Sequence, residues 1–240
     1  MVKFYIYIVF IYIGLVLVSC KQEPKKAMSN TEKMAAVADD FNSQFAAGME
    51  AITKFRGVEK TDSIKAKQAL DAAVYHFEKA NLMDSMNLDL VFLLGNSYYL
   101  SKSYYRAMST YERIKRVWPN EEKVNKNLRL SYREVARAEL YNENNPLSCR
   151  NYVEKSLKMD PTDVQSVEIL GVSLARLSNW DTAVIELKRA IQMNPKSATA
   201  LTNLSIVMSK QEKWEESKKY IEMAKAIDPR MENPMLTEKK

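Results

Sequence analysis

The chain has 240 residues, 28% of them charged and 46% apolar, with only 5 glycines and 7 prolines. So few helix-breaking residues exclude collagen-like and low-complexity chains and favour an all-helical fold. Its 36 basic and 30 acidic residues leave +6, an excess spread along helix faces of alternating sign, such as residues 212–219. That is a solvated surface rather than a nucleic-acid footprint, and nucleic acid is not an expected partner.

At the N-terminus, residues 4–18 form an apolar run behind Lys3 that ends in Leu17-Val18-Ser19-Cys20. A bilayer span needs about twenty residues, so a run of this length suits the apolar core of a signal peptide. The last four residues resemble a bacterial lipobox, in which a small residue precedes a cysteine that is acylated and becomes the mature N-terminus. The resemblance implies a signal peptide over 1–19, cleavage after Ser19, and a fatty acid such as palmitate on Cys20. A generic secretory signal, or an uncleaved anchor with Cys20 incidental, is the competing reading. Residues 20–30 are polar, contain Pro24, and form a flexible tether. The expected location is therefore the cell envelope, with the lipid anchor in the outer membrane rather than the inner one.

The next stretch, 31–55, is expected to be helical, with Phe41, Phe45, Ala46, Met49 and Ile52 on one stripe. Asp39-Asp40 is placed in its first turn, where the macrodipole favours negative charge. Residues 56–63 are expected to be a long loop before a helix carrying Ala73, Phe77 and Ala80.

Further on, Asp160-Pro161, Asn194-Pro195 and Asp228-Pro229 end similar helical stretches, their prolines 34 residues apart. Between them recur Val167-x2-Leu170-Gly171-x2-Leu174 with Ala183, Leu187 and Ala190, and Leu201-x2-Leu204-Ser205-x2-Met208 with Ser217, Ile221 and Ala224. Pro119 closes Val91-x2-Leu94-Gly95-x2-Tyr98 with Ala107 and Tyr111. Offsets of three and four place each set on one helix face. The prolines stop the second helices, and each preceding Asp or Asn is expected to cap the next helix. From Pro119 to Pro161 there are 42 residues. The surplus is read as an extended first helix beginning near Glu121, with the turn at residues 142–146.

This period and these residues resemble the tetratricopeptide repeat family. The resemblance covers roughly residues 31–230 and implies an all-α, right-handed superhelical array of about five helix pairs. The units are 31–85, 88–119, 121–161, 164–195 and 198–229, followed by a polar tail over 231–240. Single pairs cannot bury both faces, so the units must stack.

What the resemblance implies functionally is a scaffold that binds a protein or peptide segment on its inner helices. Some members grip a C-terminal carboxylate with Lys and Asn at four inner positions. Here those positions carry Asp89, Phe92, Leu93 and Asn96, then Gln165, Glu168, Ile169 and Val172. Only Asn96 fits and the lysines are missing, so no such clamp is expected. The inner face offers Phe92, Asn96, Tyr99, Tyr141, Val172 and Ile206, with Glu134 and Glu168 between them, which reads as an apolar, mildly acidic groove. The competing class is a surface lipoprotein that binds a solute or glycan, although Trp118, Trp180 and Trp214 all fall at helix ends or turns and form no sugar-stacking cluster.

No enzyme is expected. His76, the one histidine, lies in a helix beside Phe77, and there is no HExxH, paired CxxC, GxSxG or glycine-rich phosphate loop. Cys149 falls where the repeat needs a small buried residue and reads as a structural thiol. No metal and no cofactor are expected.

Overall fold

The computed structural model describes residues 29–237. Cys20, the apolar run before it and most of the tether lie outside the described residues. Among the described residues there are eleven helices and no strand. They are α1 (Asn30–Val58), α2 (Ser63–Met83), α3 (Leu88–Leu100), α4 (Tyr104–Val117), α5 (Glu122–Tyr141), α6 (Pro146–Met159), α7 (Val164–Arg176), α8 (Trp180–Met193), α9 (Ala198–Lys210), α10 (Trp214–Ile227) and the single turn α11 (Pro234–Thr237).

The described residues divide into two units between Asp40 and Phe41. In the first, the described part is the start of α1, closed by a reciprocal capping box: Ser29 N–H donates to Glu32 Oε2 (2.7 Å), and Glu32 N–H to Ser29 Oγ (3.2 Å). Because the helix starts there, Asp39 and Asp40 lie well inside it, not in its first turn.

In the second unit, helices pack in consecutive pairs, α3 with α4, α5 with α6, α7 with α8 and α9 with α10, and each pair touches the next. The reason is the small-residue positions. A Cβ on Gly95 would lie 2.8 Å from the Tyr111 ring, and one on Gly171 would lie 2.7 Å from Leu187 Cγ. Without a side chain there, the second helix lays its central large residue directly on the first. The surplus residues of the third unit lie in α5, which runs for 20 residues. Its Arg129 and Arg133 hold Asp163 at 3.0 and 3.2 Å, a largely buried cluster that ties α5 to the start of α7.

The first pair differs from expectation. Helix α1 continues to Val58, so only residues 59–62 separate it from α2. Ala46 and Met49 are exposed, and the buried stripe runs through Gly48, Ile52 and Phe55. A Cβ at Gly48 would meet the Phe77 ring at 2.5 Å, so Gly48 plays the part of Gly95 and Gly171. The fit of Phe77 onto a glycine sets the register, and Met49, one residue further, is turned away.

Turns repeat as faithfully as helices. Lys102, Ser178 and Glu212 are left-handed, with φ of 62°, 61° and 60°. After each, Ser103, Asn179 and Lys213 donate back five residues to Tyr98, Leu174 and Met208 carbonyls at 2.8–2.9 Å, a helix-ending motif usually built on glycine. The Asp and Asn residues before the prolines do not cap the next helix. Each accepts from the N–H two residues on, and after Asn194 the cap lies three residues later, where Ser197 accepts from Ala200 N–H. The intervening proline turn puts the next helix out of their reach.

After α10 the chain folds back. Met231 and Leu236 pack on Leu201, Ile221 and Ala224. Asn233 is buried, and its Nδ2 lies 2.9, 3.0 and 3.1 Å from the hydroxyls of Ser205, Ser209 and Ser217. The segment expected to be a polar tail thus covers the last helix pair.

Candidate binding groove

The six inner-face residues separate into two sets. Phe92, Asn96 and Tyr99 belong to the α3–α4 pair. Phe92 meets Tyr111 edge-on at 6.0 Å, and Tyr99 meets Tyr104 at 5.4 Å. Both pack partly buried against the core. Asn96 is held by its own core: its Oδ1 accepts from the Tyr111 hydroxyl at 2.6 Å and from Asn127 Nδ2 at 2.8 Å. Tyr111 is fully buried, and a buried phenol needs such a partner. Burial raises the Tyr99 phenol above its ordinary range, with the Glu134 charge adding to it.

Tyr141, Val172 and Ile206 come together. They line one hollow of about 370 Å³, with Ala175, Arg176 and Trp180 on one side and Asn203, Val207 and Lys210 on the other. It opens between α7 and α9, with the last residue of α5 on its rim. The repeat explains the meeting: Val172 follows Gly171 and Ile206 follows Ser205, so the two occupy the same position in successive units. Tyr141 comes from the lengthened α5 and stays 53% exposed. Burial of part of its ring raises the phenol, with Arg176 opposing.

Electrostatically the hollow departs from expectation. Glu134 is 9% exposed and paired with Arg133 and Arg137 at 3.2 and 3.1 Å. Glu168 accepts a hydrogen bond from the Ser197 hydroxyl. Both carboxylates are thus engaged inside the fold, and the charges that line the hollow are Arg176 and Lys210. Arg176 was not singled out from sequence. It stacks over Tyr141 at 5.3 Å and donates to the Leu140 carbonyl and to Asn144. It closes the α7 end of a wall whose other polar side chains are Asn203 and Lys210.

Among the described residues, no three His, Cys, Asp or Glu side chains are placed to hold a metal ion, and no helix is long and apolar enough to cross a membrane. His76 Nδ1 lies 2.9 Å from Gln44 Oε1, in a contact between α1 and α2. Cys149 is fully buried. Burial pushes its thiol up to about 12, against a hydrogen bond from Ser173 and the charge of Arg176.

No family model and no curated protein matches the sequence. Solved structures do match the fold. A MamA structure (MSR-1, C2) is 20% identical, with a TM-score of 0.52 over 78% of this chain and 98% of that one. Another structure of MamA protein is 13% identical, with a TM-score of 0.56 over 80% and 94%. YrrB, described as a TPR protein with an unusual peptide-binding site, is 18% identical, with a TM-score of 0.52 over 77% and 95%. At such identities the likeness is one of fold, an all-α solenoid of consecutive helix pairs.

Proposed function

We propose that the chain is a protein-interaction scaffold, held by a lipid on Cys20 at a membrane of the cell envelope, that takes a protein or peptide segment into the hollow between α7 and α9. The observation that carries the reading is the convergence of Tyr141, Val172 and Ile206 on one apolar recess from three successive units. Such a wall is what a solenoid offers an extended or helical segment. Burying about 100 Å² of apolar side chain there is worth about 2.5 kcal/mol at 25 cal/mol per Å². Arg176 and Lys210 at the edge favour a carboxylate beside that side chain. YrrB, with its peptide-binding site, has the same fold, which supports a peptide as the class of ligand.

Site-specific photocrosslinking from Tyr141 in cells tests the reading. A discrete protein adduct should form, and Ile206→Ala should reduce it without changing helical content. Lys188→Ala and Lys218→Ala, on exposed faces of the second helices, should leave it intact. Binding of a purified glycan in place of any protein would defeat it. The anchor is tested separately: Cys20→Ala should leave an unprocessed precursor without incorporated fatty acid, and a labelled mutant would rule out Cys20.

A further inference from the structure

Five equivalent turns follow the second helices, and one breaks their rule. The closing residues are Asp84, Trp118, Asp160, Asn194 and Asp228. Each donates its N–H four residues back, to Ala80, Ile114, Ser156, Ala190 and Ala224 respectively. Four of them carry a carboxylate or amide whose Oδ1 accepts from the N–H two residues on, at 3.0–3.2 Å: Asp84 from Met86, Asp160 from Thr162, Asn194 from Lys196 and Asp228 from Arg230. Trp118 cannot make that bond. Its backbone (φ −120°, ψ 74°) is extended like that of Asn194 (φ −138°, ψ 88°), so the turn itself does not require an indole. Nor does the core, since Trp118 is 42% exposed and the adjacent Val117 is 54% exposed. A local hydrogen bond has been exchanged for an apolar ring presented to solvent.

The surroundings indicate what the ring could meet. Next to the 117–121 turn lies a cleft of about 510 Å³ lined by Lys115, Asn125, Lys126 and Lys158. The two are joined by a hydrogen bond from Asn125 Nδ2 to the Pro119 carbonyl at 2.9 Å. Arg129 in the cleft is shared between Asp160 at 3.4 Å and Asp163 at 3.0 Å. Lys115, Lys126 and Lys158 form no ion pair among the described residues, and Glu122 is the one free carboxylate facing them. A ligand that fits must therefore combine negative charge with an apolar group.

We propose that this corner docks an acidic segment of a partner protein. An aromatic or aliphatic side chain lies on Trp118, and carboxylates meet Lys115, Lys126 and Lys158. The exposed indole and Val117 beside the lysines favour a peptide over a simple anion, which has no apolar group. This surface is formed by α4, α5 and α6 and is distinct from the hollow between α7 and α9.

Panning a random phage-displayed peptide library on the full chain tests the proposal. Selected peptides should carry several Asp or Glu beside an apolar residue and lose affinity as salt is raised to about 0.5 M. Trp118→Asn restores the turn residue of the other units without changing charge, so its melting temperature should equal or exceed that of the wild type. Its peptide affinity should fall roughly tenfold or more, and Lys115→Gln/Lys126→Gln/Lys158→Gln should lose binding likewise. A lowered melting temperature for Trp118→Asn would make the indole a packing residue and overturn the proposal. So would peptides indifferent to both variants, or peptides that depend only on Tyr141 and Ile206, which would report the other hollow. If phosphatidylglycerol vesicles bind in a Trp118-dependent way and no acidic peptide is selected, the corner is a membrane contact instead.

Discussion

At the scale of single residues, the glycines at helix crossings make the sharpest case. An exposed mid-helix glycine gains about 1 kcal/mol on replacement by alanine. At Gly171 the new methyl would sit 2.7 Å from Leu187 Cγ and 3.4 Å from the Leu187 backbone N, so neighbours must move. Overpacking costs about 1–3 kcal/mol. Gly171→Ala is therefore expected to destabilise and Gly171→Leu to do so more, as read by urea denaturation, whereas Gly57, which has open space around it, should gain from alanine. Cys149 supplies a second residue-level test. With its thiol raised to about 12 by burial, it stays protonated and inaccessible at neutral pH, and iodoacetamide should label it only on unfolding. In the unfolded chain the thiol ionises near 8.5. The native state then holds the extra proton, and stability should fall as pH rises above that value.

Among the elements, what was legible in the sequence depended on how often a contact recurs. Gly95 and Gly171 stand out because each lies 16 residues before the large residue laid on it. Gly48 makes the same contact with Phe77, but α1 and α2 are 29 and 21 residues long, so the spacing is different and the pattern disappears. The left-handed turn residues Lys102, Ser178 and Glu212 were illegible for the opposite reason. Their chemistry varies while the backbone is constant, because the five-residue-back hydrogen bond rather than the side chain imposes the conformation. Each non-glycine residue held there costs about 1–2 kcal/mol. Ser178→Gly is expected to stabilise the chain by up to about 1 kcal/mol, the entropy of a freer glycine offsetting the rest. Differential scanning calorimetry would show it as a higher melting temperature.

Across the whole molecule, the repeat period specified the fold while the groove was only half visible. Val172 and Ile206 could be found because they hold one position in consecutive units, and Tyr141 because it ends an inner helix. Phe92, Asn96 and Tyr99 satisfied the same positional rule, but what a side chain faces is decided by its neighbours. Tyr111 takes the amide of Asn96 for its own hydroxyl, and no rule of spacing could reveal that. The charge of the hollow was misjudged for a related reason: Glu134 and Glu168 lie at the right positions but are paired within the fold, and Arg176 enters from a helix end. The three serines of α9 and α10 read as small residues, which they are. Only the folded chain shows that their hydroxyls bond to one another and gather around one amide, supplied by Asn233.

That amide has a bearing on how the array stops. A stack of like units has no intrinsic length, because the face each pair shows to the next is the face that a second molecule could also recognise. Head-to-tail contacts of this kind do not close on themselves and generate filaments. Met231, Asn233 and Leu236 lie across that last face and make it unlike every other. Deleting residues 231–237 should bare Leu201, Ile221 and Ala224 and take the Asn233 amide from the three serine hydroxyls. The shortened protein is expected to form concentration-dependent oligomers in sedimentation velocity, while the full chain stays at a single mass. A dozen atoms of side chain would then separate a discrete molecule from a polymer.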